Sequence, residues 1–271
     1  MTKMTMLKDR NGITLDRIRH FAPAVFATDA HHSRSNRYEM IPTENLLNEF
    51  AGAGFRVTEL RAAGSRVADK AGFGKHMIRF RQEGVQPVVG DVFPEIVLVN
   101  SHDGSSSYQL STGWFRLACL NGLCSPVSET NAISIRHSGD VGDVIDASFR
   151  IVEDFEKQIP RIESMQSAVL SPVEQKVFAT AAAELKAETD EDKAALANGL
   201  LRLRRSADAE TTVWNTLNIV QENMMGGKQR LPRVNGRRRA TRAVNGIDEN
   251  VKLNRALFTL AEQMLAIKTA G

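Results

Sequence analysis

The sequence is poor in cysteine and has no long apolar run. Its 271 residues include only Cys119 and Cys124, too few for a disulfide scaffold or a zinc site made of cysteines alone. No window approaches the roughly 18 consecutive apolar residues that a membrane-spanning helix needs. The N-terminal stretch also lacks the apolar segment of a secretory signal. We therefore expect a cytoplasmic protein with no membrane partner.

The common catalytic motifs are absent as well. The sequence contains no Walker A loop, no GxGxxG after a predicted strand, no GxSxG around a serine and no HxxxH pair. These absences disfavour catalysis, and we predict neither a cofactor nor a metal site. They leave an unrecognised hydrolase or nuclease as an alternative.

Charge is nearly balanced overall but is unevenly distributed. Lys and Arg number 35 against 32 Asp and Glu, a net charge of +3. Residues 140–200 carry 13 acidic against 6 basic residues, whereas residues 228–247 carry one Lys and six Arg with no acidic residue. The second of these segments is the most unusual stretch of the sequence.

Hydrophobic patterning divides the chain into two parts. Residues 1–138 alternate as strands do, and apolar residues from 139 to 271 recur at helical spacing. We predict an α+β fold: an N-terminal antiparallel or mixed sheet with short helices, followed by an α-helical C-terminal half. Predicted strands are 55–62, 75–82 and the central 94–100.

Several local signals refine this prediction. Thr43 is expected to cap a helix over 43–54, and Ser171 with Glu174 has the spacing of a capping box. Residues 108–122 are interpreted as a strand followed by a helix that Ser111 caps. In the last helix, one apolar face is expected to pack on Trp214 and Leu217; its residues are Val251, Leu253, Leu257, Leu260, Met264 and Ile267.

The basic segment 228–247 is predicted to be a loop between two helices, because it contains Pro232 and two Asn-Gly pairs. Arginine forks and free backbone N–H groups can hold phosphates. The candidate nucleic-acid-binding residues are Lys228, Arg230, Arg233, Arg237, Arg238, Arg239 and Arg242. Pairing with the acidic helices of 140–200, or simple solvation, are the alternatives.

Further basic residues lie beside aromatic residues in the first half: Arg79 and Arg81 around Phe80, and Arg116 after Trp114 and Phe115. Such interleaving suits single-stranded nucleic acid, whose bases stack while its phosphates pair. Strand alternation, however, places Arg79 and Arg81 on the face opposite Phe80, which favours a core position for Phe80. Trp114 and Phe115 are also expected in the core.

A polar cluster of unknown role is predicted from His102, Asp103, Arg136 and His137. His102 and Asp103 follow the buried strand in a turn-forming sequence, and a hydrolase site could gather these four residues. The simpler interpretation is that Asp103 forms the turn and His102 anchors it.

The runs PEIVLVNSHDGSSSYQLSTGWFRLACLNGL, WNTLNIVQENMMGG and GRRRATRAVNGID resemble a family carried by phages and plasmids, catalogued as domain of unknown function 932. The resemblance extends from about residue 37 to 268. It implies a mobile-element context but no established activity, so it transfers no catalytic residue.

Together these observations predict a nucleic-acid-binding accessory protein of a phage or plasmid that favours single-stranded DNA. It would act in recombination, annealing or replication and form a homo-oligomer. The strand order read across 55–122 is loosely similar to the core of single-strand annealing proteins. The alternative is an inhibitor of a host defence system that binds a host or phage protein through its acidic helical face.

Overall fold

The structure, a computed structural model, describes residues 4–35, 38, 40–65, 67–87, 91–116, 121–124, 132–135, 151, 155 and 157–270. The chain forms two compact units. The first comprises Met1–Phe115 and Val127–Glu156, and the second comprises Arg116–Pro126 and Lys157–Gly271. A sheet with short helices precedes a helical C-terminal half, so the predicted α+β fold class is confirmed.

The first unit is built on an antiparallel sheet. Its strands are β1 (Thr5–Lys8), β2 (Phe55–Ala62), β3 (His76–Gln82), β4 (Val92–Asn100), β5 (Tyr108–Arg116) and β7 (Ala132–Ile135). The first five follow one another in chain order, and β7 pairs with β5. Leu60 lies opposite Ile78, which lies opposite Leu98 on the next strand.

The three strands predicted in this region are confirmed, but they are more buried than their alternation indicated. Strands β2, β3 and β4 are buried along nearly their whole length rather than on alternate residues. Strand β5 continues to Arg116, and residues 121–124 form β6 of the second unit. The helix predicted after Ser111 is therefore wrong, and so is the strand–helix order on which the similarity to annealing proteins depended.

Within the described residues up to 116, the first unit has two short α-helices. They are α1 (Leu15–Phe21) and α2 (Thr43–Gly52). In α2, Leu46, Leu47 and Phe50 are buried, and the Phe50 ring lies 4.5 Å from the Phe80 ring of the sheet. The helix predicted over 43–54 is confirmed, but the predicted cap is wrong: Pro42 occupies the cap position, and the Thr43 hydroxyl has a different role.

The second unit is mainly helical. Its helices are α3 (157–167), α4 (Pro172–Glu184), α5 (Asp190–Leu200), α6 (Val213–Gly226) and α7 (Ile247–Thr269), with strands β8 (Arg230–Val234) and β9 (Arg237–Ala240) between the last two. The capping box of Ser171 and Glu174 is confirmed. Hydrophobic spacing predicts helical structure from residue 139 onward; most of the stretch before α3 lies outside the described residues, and Ile151 and Phe155 within it are helical.

Helix α7 packs along α6 by the face that its sequence predicted. Val251, Leu253, Leu257 and Met264 are buried, as are Trp214 and Leu217 of α6. Of the other two residues predicted on this face, Leu260 is half-buried and Ile267, near the end of the helix, has 69% of its surface exposed. Within the described ranges, no helix is both long enough and apolar enough to span a bilayer.

Candidate nucleic-acid interface

The basic segment is a β-hairpin rather than the predicted loop. Strands β8 and β9 pair antiparallel, and Asn235 and Gly236 join them with φ values of 51° and 74°. Two successive positive φ values define the primed turn that matches the twist of a two-stranded ribbon. An Asn-Gly pair between two strands is the sequence signal that would have identified this hairpin.

The hairpin is anchored where it leaves α6. Gly227 has a φ of 63°, and a Cβ atom there would lie 2.5 Å from both Ala243 N and Arg242 C, so only glycine fits. Lys228 N donates to Thr241 O at 2.8 Å, which extends the pairing beyond the strands. The base of the hairpin is therefore fixed by close backbone contact.

The hairpin displays an unneutralised basic surface. The six exposed basic residues are Lys228, Arg230, Arg233, Arg237, Arg238 and Arg242. Four of these residues, Lys228, Arg230, Arg233 and Arg238, line one shallow concavity of about 540 Å³. Among the residues that the structure describes, no carboxylate forms an ion pair with any of the six. We call this set the basic hairpin surface.

Arg239 is the exception, because it pairs within the chain. Its Nη1 lies 3.0 Å from Asp192 Oδ1 and its Nη2 lies 2.7 Å from Asp192 Oδ2, so the contact is bidentate. Alternation along β9 directs Arg239 toward α5 and Arg238 away from it. Pairing with the acidic helices therefore accounts for one of the seven basic residues.

The basic residues predicted from the first half are buried. Arg79 Nη1 lies 3.3 Å from Glu95 Oε2, and Arg81 Nη2 lies 2.7 Å from Glu95 Oε1. Arg116 forms an ion pair with Asp208. These three guanidinium groups are not accessible to a phosphate, so the candidate interface excludes them.

Burial of Arg79 and Arg81 has a specific cause. Both lie on the strand face opposite Phe80, and that face is also covered, with buried Glu59 and Glu95 supplying the counter-charges. Burial alone would raise the pKa of Glu59, but the positive charges of Lys8, Arg61 and Arg79 outweigh it and lower that pKa. Phe80, Trp114 and Phe115 are buried, as predicted.

His102 belongs to a buried cluster around the Thr43 hydroxyl. Thr43 Oγ1 lies 2.9 Å from His76 Nε2 and 3.3 Å from His102 Nε2, and it accepts a hydrogen bond from Asn100 Nδ2 at 3.0 Å. His76 Nδ1 lies 3.1 Å from the Gly74 carbonyl oxygen and so carries the proton. Its Nε2 then accepts from Thr43, while His102 Nε2 donates to Thr43.

Burial keeps His76 neutral. It lowers the pKa of His76 to about 4, although the hydrogen bond to Gly74 acts in the opposite direction. Arg136 and His137 lie outside the described residues, so the predicted four-residue cluster stays a prediction. The His76–His102–Thr43 arrangement was not foreseen, because its members are separated in sequence and share no spacing.

The turn predicted at Asp103 is confirmed. Asp103 Oδ1 accepts from Ser105 N at 2.9 Å, and Gly104 has a φ of 74°. Burial would raise the pKa of Asp103, but hydrogen bonds from Ser105 and Ser101 lower it. Nearby, burial and the Asp103 charge raise the pKa of Tyr38 to about 12, and the Tyr38 hydroxyl donates to Ser101 O at 3.0 Å.

One group in the described part of the chain has the composition of a metal site. The ligand atoms of His31, His32 and Asp69 all lie within 4.8 Å of one another. No spacing in the sequence indicates this group, because the two histidines are adjacent and Asp69 lies in a distant 3-10 helix, Ala68–Lys70.

Comparison with known proteins identifies a family whose description gives no activity. Residues 30–258 match the family described as domain of unknown function (DUF932). Two proteins of Escherichia coli K12, UPF0380 protein YfjQ and UPF0380 protein YafZ, are each 38% identical over 256 residues, covering 93% of this chain and 92% of each relative. No solved structure matches the chain. The chain therefore belongs to the DUF932 family, in agreement with the resemblance of its sequence motifs.

Proposed function

We propose that this protein binds nucleic acid through the basic hairpin surface. The observation that carries the proposal is the exposure of six basic side chains on one short ribbon, without a carboxylate partner among the described residues. A cluster of this kind raises the local concentration of polyanions and neutralises phosphates with release of counterions. Arginine adds planar, two-pronged contacts to phosphate oxygens.

The hairpin favours contact with the phosphate backbone over base stacking. Residues 228–247 contain no aromatic side chain, and the aromatic residues that suggested stacking, Phe80, Trp114 and Phe115, are buried. A two-stranded ribbon is narrow enough to enter the major groove of B-form DNA. We therefore propose binding to single and double strands alike, with little sequence preference.

The biological setting is part of the same proposal. We propose an accessory protein of a phage or plasmid that acts in the cytoplasm, as a homo-oligomer, in recombination, annealing or replication. Its support is the resemblance to a family with a mobile-element context and the chemistry of the hairpin.

The acidic helices support the alternative function, an inhibitor that imitates nucleic acid, less strongly than the basic hairpin surface supports nucleic-acid binding. Glu184 lies 3.0 Å and Asp190 lies 3.6 Å from Lys193 Nζ, and Glu174 lies 2.9 Å from Lys268 Nζ. With Asp192 bound to Arg239, internal pairing neutralises much of the negative charge of α4 and α5. A nucleic-acid mimic needs that charge to face a partner.

A salt titration of labelled single-stranded and duplex oligonucleotides by fluorescence anisotropy tests the proposal. The variant R230A/R233A/R238A removes three arginines of the concavity. If each neutralises one phosphate, the slope of log K against log salt should fall in magnitude by about 2 for single strands and about 2.7 for duplex. The loss should be similar for different sequences, because backbone contacts carry no base information.

A matched variant, R10A/R202A/K252A, removes three exposed basic residues elsewhere. It should retain the wild-type slope. Absence of wild-type binding at about 50 mM salt, where backbone contacts are strong, would refute the proposal. An equal loss in both variants would show that net charge, not the hairpin, accounts for the affinity.

A further inference from the structure

We propose that His31, His32 and Asp69 bind a divalent transition-metal ion such as Zn²⁺. The three residues lie in the first unit, and the site is independent of the basic hairpin surface in the second unit. Two imidazoles and one carboxylate form a donor set suited to zinc, cobalt or nickel, whereas magnesium and calcium prefer oxygen ligands alone.

The distances between donor atoms are close to those of a zinc site. His31 Nε2 lies 3.4 Å and His32 Nε2 lies 3.8 Å from Asp69 Oδ2. In a tetrahedral site with zinc–ligand bonds of about 2.1 Å, neighbouring donor atoms are roughly 3.4 Å apart. His31 and Asp69 already meet that spacing. His32, with 77% of its side chain exposed, can turn to complete it.

A second observation concerns His31 itself. Its ring is buried, yet its Nε2 atom, 3.4 Å from Asp69 Oδ2, has no hydrogen-bond partner among the residues that the structure describes. A buried polar atom without a partner costs free energy, and such atoms are rare unless something satisfies them. A metal ion between Nε2 and the carboxylate would satisfy both groups.

The other ring nitrogen of His31 is suited to support such a ligand. Nδ1 lies 2.8 Å from Ser33 Oγ and 3.2 Å from Ser33 N. The Ser33 backbone N–H donates to Nδ1, so His31 carries its proton on Nε2 in the metal-free chain; a metal ion at Nε2 would displace that proton, and Nδ1–H could then donate to the Ser33 hydroxyl. Metal-binding histidines usually have an outer-shell partner of this kind, which fixes the ring and its tautomer.

The family motif around His102 holds this site in place. His31 N donates to His102 O at 3.0 Å, and His102 N donates to Phe73 O at 3.0 Å. The Phe73 ring meets the His31 ring edge-on at 5.2 Å. Three protein ligands, two of them exposed, leave a coordination position for water or for an oxygen of an anionic ligand, as in open zinc sites.

Titration of the full-length, tag-free chain with Zn²⁺ and Co²⁺ tests the proposal, after chelator treatment. We expect one ion per chain by calorimetry and visible absorption bands from bound Co²⁺. Because His31 is buried, the informative variant is H32A/D69N, which alters only exposed ligands. It should lower the affinity for Zn²⁺ by more than about tenfold, because losing two ligands costs more than losing one outer-shell partner.

The control is H20A, which removes an exposed histidine elsewhere and should bind as the wild type does. Circular dichroism of each variant without metal establishes that its fold is retained. The proposal is overturned if the wild type binds no Zn²⁺, or if H32A/D69N binds it with unchanged affinity and stoichiometry.

Discussion

Arg239 of the hairpin and Asp192 of α5 form a bidentate ion pair, with contacts of 3.0 and 2.7 Å. The pair joins the ribbon to the first turn of α5, while Arg238, which lines the basic concavity together with Arg239, has no carboxylate partner among the described residues. Neighbouring residues of β9 therefore have different tasks: Arg239 holds the hairpin to the second unit, and Arg238 is available to an external partner.

This division predicts separable effects of two single substitutions. R239A should lower the free energy of unfolding of the second unit only slightly, since the pair is partly exposed. It should leave the salt slope of nucleic-acid binding unchanged, whereas R238A should reduce that slope without a loss of stability. Urea unfolding followed by Trp214 fluorescence in a W114F background, together with anisotropy, measures both. A reduced slope in R239A would contradict this assignment.

The buried His76 predicts a pH-dependent stability of the first unit. Its pKa is about 4 when folded and about 6.5 when unfolded, so the unfolded chain binds the extra proton between these values. Stability should be complete above about pH 6.5 and fall by about 3 kcal/mol as pH decreases to about 4. Unfolding followed by Trp114 fluorescence in a W214F background measures this dependence.

The variant H76Q isolates this contribution from those of the carboxylates, because glutamine hydrogen-bonds without titrating. Its stability should change less between pH 4 and 6.5 than that of the wild type. H20Q, at an exposed histidine, should follow the wild-type curve. Parallel curves for the wild type and H76Q would show that His76 does not titrate in this way.

The ion cluster on β3 and β4 predicts a large effect from one neutral substitution. E95Q removes the carboxylate that both Arg79 and Arg81 contact and leaves positive charge uncompensated in the interior. We expect a loss of about 3–5 kcal/mol from the free energy of unfolding. E83Q, at an exposed glutamate, should change it by less than about 0.5 kcal/mol. Denaturant unfolding compares the two, and similar values for both would indicate that solvent reaches the cluster.

The packing of α7 gives a test in the second unit. Leu257 is fully buried, so L257A should cost about 2–5 kcal/mol by creating a cavity. I267A, on the same helix but largely exposed, should cost less than about 0.5 kcal/mol. Thermal and urea unfolding measure both. A small effect of L257A would mean that the helix contributes little to the core.

Local signals predicted the elements whose structure is set locally. The Ser171–Glu174 capping box and the apolar face of α7 depend on residues three or four positions apart, so the sequence displays them directly. Alternation identified β2 and β3 as strands for the same reason. It could not show that their other face is also buried, and Arg79 and Arg81 are therefore candidate nucleic-acid-binding residues on the sequence alone.

The features that the sequence predicts wrongly or does not reveal have three separate causes. The turn of Asn235 and Gly236 is encoded locally, but an Asn-Gly pair occurs in irregular loops as well as in hairpins. The mainly arginine residues beside it show no alternation of apolar and polar side chains that would indicate two strands. The partners of Thr43 and His31 come from strands or loops distant in sequence, so no spacing reveals them. Residues 108–122 show neither strict alternation nor regular helical spacing of their apolar residues, and such a segment does not distinguish a buried strand from a helix.

The length of the hairpin limits how much of a polymer one copy can cover. A strand of five residues, such as β8, spans roughly 17 Å, which equals the rise of about five nucleotides in a duplex strand. A contact surface of about five nucleotides is too short to specify one unique sequence in a genome. On the proposed function, tight association requires several copies side by side on one nucleic acid, so that occupancy depends on protein concentration and polymer length through avidity.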